Sequence, residues 1–130
     1  MVEGRIAVRS ATVQAAGVEE RLSPLLERID RGRREADAWP IGAATRDAIE
    51  DLLTEGYIVA LSCESTSRRL DERLRSLAES LEDDTAAREA RRLALQKRTL
   101  DSRVSDLRER LADLRERLRV GTPQRSDSRR

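Results

Sequence analysis

Residues 100–118 read LDSRVSDLRERLADLRERL. The apolar side chains Leu100, Val104, Leu107, Leu111, Leu114 and Leu118 are spaced alternately by four and three. That is a heptad, with Val104, Leu111 and Leu118 at a and Leu100, Leu107 and Leu114 at d. A seam this narrow cannot fold alone. It has to lie against another helical surface, in this chain or another one. The chain is therefore expected to be mainly α, with this helix as its chief element.

The residues beside the seam say which surface suits it. Extended backwards, the same phase takes in Leu93 and Lys97, and a lone cation at an a position can fix register at a cost in stability. The e positions are Asp101, Arg108 and Arg115, and the g positions are Arg103, Arg110 and Arg117. In a parallel homodimer Arg103 would face Arg108 and Arg110 would face Arg115. Such like-charge contacts each cost a few tenths of a kcal/mol and repeat on both edges. Asp106–Arg110 and Asp113–Arg117 pairs within the helix blunt this. The seam calls for a partner with acidic flanks, or an antiparallel one. The acidic segment Asp47–Glu55 is an internal candidate, and an acidic partner chain is another.

Upstream, Leu70, Leu74, Leu77 and Leu81 form a second seam from a helix starting near Ser67. Its phase differs by two residues from that of the last helix. Glu82-Asp83-Asp84-Thr85 lies at the mismatch and carries N-cap residues. Either the helix breaks there to give a hairpin, or one long rod carries a phase slip. A continuous helix over 85–119 would be roughly 52 Å long at about 1.5 Å per residue. Gly121-Thr122-Pro123 ends it, and the tail beyond is polar and basic.

The N-terminal half is less periodic. Ile6 and Val8 fall on one face of a short strand over about 5–13. Ser23-Pro24 has the residues of a helix start, followed by Leu25, Leu26 and Ile29. Trp39-Pro40-Ile41-Gly42 is a break, with Trp39 the largest apolar group and the expected core anchor. A helix over about 43–54 presents Ile49, Leu52 and Leu53. Beyond it, Gly56 is either a C-cap with 57–62 a buried strand, or an interior glycine in a helix running to Cys63. The strand is preferred because residues 5–13 can pair with it. The expected organisation is an arm or strand over 1–16, a small helical module over 17–66, coiled-coil helices over 67–120 with a break at 82–85, and a disordered tail over 121–130.

Composition narrows the function classes. Charged residues make up 39% of the 130 and aromatics 2%, which suits long solvated helices better than a thick core. The net charge of +1 announces neither a nucleic acid nor a membrane. No run is long or apolar enough for a membrane span or a secretory leader. One cysteine, Cys63, forms no intrachain disulfide. A soluble, cytoplasmic protein is expected, or a virion-associated one if the source is viral.

With no His in the chain, the commonest general base is missing, and neither Cys63 nor any Ser has an imidazole to activate it. No catalytic, metal or cofactor site is expected. One stretch, Ala60 to Leu70, resembles a helix-turn-helix, although its turn is about one residue short and lacks the usual glycine. The resemblance implies that Ser65, Ser67, Arg68 and Arg69 face DNA, with the rod as dimeriser. The leading expectation is instead a non-enzymatic interaction protein: a scaffold, assembly chaperone or particle component. It would oligomerise or dock through the coiled-coil seam, and the DNA-binding regulator is the alternative.

Overall fold

The computed structural model describes residues 2–38 and 40–121, with side chains from residue 19 on. It contains three helices, α1 (Val2–Ala36), α2 (Ala43–Ala78) and α3 (Asp84–Gly121), and among the described residues no strand. Connections at 37–42 and 79–83 reverse the chain twice. Neighbours in sequence therefore run antiparallel, and α1 runs parallel to α3, as short loops dictate. All three helices pack on one another around a shared core.

Each helix supplies a stripe with heptad spacing. On α1 it is Leu22, Leu25, Ile29, Gly32 and Ala36, all buried. On α3 it is the leucine seam, with Leu107, Leu111 and Leu114 exposing no surface. Each such leucine contributes about 1.5–3 kcal/mol by leaving water. On α2 the spacing runs through Ile49, Leu53 and Gly56, then Ala60, Cys63 and Ser67, then Leu70 and Leu77, all of them buried. The middle of that stripe is made of small residues, so leucine spacing alone does not reveal it.

Several expectations are corrected. Residues 57–62 are helical, because Gly56 lies inside α2 beneath Leu111 of α3. A β-carbon at Gly56 would overlap the Leu111 methyls and stand 3.3 Å from Leu111 Cγ. The glycine lets two helices approach closely rather than ending one. Residues 5–13 are likewise helical, within α1. No helix starts at Ser23-Pro24, since Pro24 lies inside α1 on its exposed side. Nor does one start at Ser67: α2 passes unbroken through 62–67. There Thr66 Oγ donates to the Ser62 carbonyl at 3.0 Å and Ser67 Oγ to Asp101 Oδ1 at 2.5 Å. The polar groups that resemble a loop are satisfied within the helix and by α3.

α2 ends at Ala78, where the Ser80 amide bonds the Leu77 carbonyl at 2.9 Å. Asp83 opens α3, its Oδ1 accepting from the Thr85 amide at 3.1 Å and its carbonyl from Ala87 at 3.0 Å. Trp39 and the tail over 122–130 lie outside the described residues.

Candidate functional site

The structure places the expected seam residues inside the bundle. Leu93, Leu100, Val104, Leu107, Leu111, Leu114 and Leu118 are buried in the core shared with α1 and α2. The surface that covers the seam within one chain is therefore its own first two helices. Lys97 remains half-buried, and its Nζ reaches Asp101 Oδ2 at 2.7 Å one turn on. Burial pushes the Asp101 carboxyl up, but the hydrogen bonds from Lys97 and Ser67 outweigh it and leave the carboxyl below its ordinary value.

Three of the five flanking arginines reach acids of the other helices, but not those of Asp47–Glu55. Arg110 meets Asp30 of α1 at 2.8 Å, and Arg117 meets Asp37. Arg108 meets Glu64 of α2 at 2.5 Å. Arg33 returns the contact from α1 to Asp113 at 2.6 Å. Glu55 pairs instead with Arg28 of α1 at 2.8 Å, and that hydrogen bond draws its carboxyl below the usual range. Arg103 and Arg115 have no ion pair among the described residues. Exposed pairs of this kind are worth about 0–1 kcal/mol each, so they set register and orientation more than stability.

The helix-turn-helix resemblance does not survive, because there is no turn between Ala60 and Leu70. Ser67 is buried against Asp101, Ser65 is half-buried, and only Arg68 and Arg69 are exposed. A recognition helix needs a free N-terminal end to enter a groove, and these residues sit in mid-helix. The Cys63 thiol is buried, and burial pushes it up to about 11, away from the thiolate a nucleophile needs. Among the described residues no His, Cys, Asp and Glu side chains are grouped to hold a metal ion, and no helix is long and apolar enough to cross a membrane.

Two outer features remain. An open groove of about 580 Å³ runs between α1 and α2, with Pro24, Leu25, Ile58 and Val59 on its walls and the Arg28–Glu55 pair at its edge. The second is the solvent side of α3, away from the leucine seam and its flanks. Its first half carries Arg88, Arg91, Arg92 and Arg98 around Leu95, a leucine left 62% exposed. No protein-family model, no curated protein and no solved structure matches this chain.

Proposed function

We propose that this chain is a non-enzymatic interaction protein that oligomerises or docks into a larger assembly, working in the cytoplasm. The observation that carries the reading is the exposed Leu95 set among arginines on a helix whose inner seam is already filled. With α1 and α2 covering the leucines, the outer faces are what is left to meet a partner. Arginine around an apolar centre is the composition of a docking patch rather than of a solvated helix. The lack of His and the inert burial of Cys63 support a function without catalysis.

The test is the native mass of the protein in an extract of its own source, compared with the 14.7 kDa of one chain. A discrete larger species supports the reading. A protein that migrates as a single free chain at its natural concentration overturns it.

A further inference from the structure

The outermost stripe of α3 is complementary to itself when reversed. It begins with Arg88, Arg91, Leu95 and Arg98. Ser102 and Ser105 stand at its middle, and Glu109, Ala112, Glu116 and Arg119 complete it. All ten are exposed, and they follow one another by three and four, so they form one line along the helix. The basic half thus precedes an acidic half, with small residues between.

We propose that a second copy of this chain docks antiparallel on this face, about a two-fold axis lying between Ser102 and Ser105. This rests on the reading of the chain as an interaction protein. In that register Arg98 meets the partner's Glu109, and Arg91 meets the partner's Glu116. Leu95 covers the partner's Ala112, and Ser102 lies against the partner's Ser105. Symmetry repeats each contact, giving four ion pairs and two apolar contacts, as an isologous interface requires. A parallel arrangement would set each arginine against its own copy, so charge selects the antiparallel one.

The groups needed are free to take part. Arg98 and Glu109 have no ion pair among the described residues. Arg91 donates only to the Ala87 carbonyl, at 3.4 Å. Glu116 is held by Arg119 at 2.5 Å across the helix surface and can take a second guanidinium on the same carboxylate. The one mismatch, Arg88 against the partner's Arg119, falls at the end of the stripe. There Glu116 already offsets the Arg119 charge. Serines at the centre let the backbones approach as leucines would not.

Sedimentation of the full-length chain tests this. At about 50 mM salt a dimer is expected, its dissociation constant rising roughly tenfold or more at about 500 mM as the exposed pairs are screened. Arg98→Glu and Glu109→Arg should each weaken association about tenfold or more, since each spoils two symmetry-related pairs. The double variant restores both pairs with charges exchanged and should return to within about threefold of the parent. Both sites are exposed, and helix content by circular dichroism confirms that the variants fold. A parent chain that stays monomeric near 1 mM at low salt, or a double variant no better than the singles, overturns the proposal. A chain monomeric when pure but part of a larger species in its native extract defeats this interface alone. A single free chain in both defeats the interaction reading as well.

Discussion

Replacing Gly56 by alanine is expected to destabilise the protein, against the ordinary trend for helices. In an open helix interior the change is worth about 1 kcal/mol in favour of alanine. Here the new methyl points at Leu111, which is wholly buried. It would stand 3.1 Å from Cδ1 and 3.3 Å from Cγ, and closer still to Cδ2. Because Cγ is involved, turning one methyl aside is not enough, and α2 and α3 must separate. Overpacking of this kind costs about 1–3 kcal/mol. The net loss is about 1 kcal/mol, or roughly 3–5 °C in melting temperature for a chain of this size. Gly17→Ala is the control. Nothing lies within 4 Å of a β-carbon there, and it should gain about 1 kcal/mol. Urea unfolding followed by circular dichroism gives both numbers. Leu111→Ala alone should cost about 2–5 kcal/mol. The pair Gly56→Ala with Leu111→Ala should cost at least about 1 kcal/mol less than the sum, because the added methyl enters the vacated space. Strict additivity, or a Gly56→Ala chain as stabilised as Gly17→Ala, would refute the close approach of α2 to α3.

Pro24 lies inside α1 on its exposed side, where it removes the amide that would bond the Glu20 carbonyl, so Pro24→Ala should raise stability by about 1–3 kcal/mol in the same urea assay. A loss on that substitution would argue that α1 is not continuous there. The Cys63 thiol should react with a disulfide reagent only on unfolding. Stability should be whole below the unfolded-state value near 9.0 and fall as pH rises toward about 11, because the unfolded chain gives up its thiol proton first. Cys63→Ala should flatten that slope, which melting curves across the range would show. Ser67→Ala deprives the Asp101 carboxylate of a buried donor and should cost about 1–2 kcal/mol near neutral pH. Asp101 lies below its ordinary value when folded, so that contribution is present above the unfolded value of 3.8 and is lost as pH falls. The penalty should fade in acid, and an acid titration of both chains checks it.

Much of the bundle was legible in the chain, although unevenly. The leucines of α3 declared themselves because every stripe position holds a large apolar residue. The stripe of α2 has the same spacing but passes through Gly56, Ala60, Cys63 and Ser67, which together resemble a strand and a loop more than a seam. Extending the phase of Leu70 and Leu77 backwards through small residues would have found it. Three of the five arginine flanks, Arg108, Arg110 and Arg117, pair with acids of the other helices, and Glu64, Asp30 and Asp37 supply them, not the denser acidic run at Asp47–Glu55. Which acids arrive depends on how helices stand side by side, and no local pattern encodes that.

Helical character, the filled side of α3 and the sign of its edges follow from residue order, because periodicity is a property of a helix taken singly. That the leucines are covered by α1 and α2 of the same chain belongs to the packing. So does the continuity of α2 through a glycine and a run of serines. A small or polar side chain is a core residue only when another helix comes within a few ångströms of it, and only the assembled bundle supplies that helix.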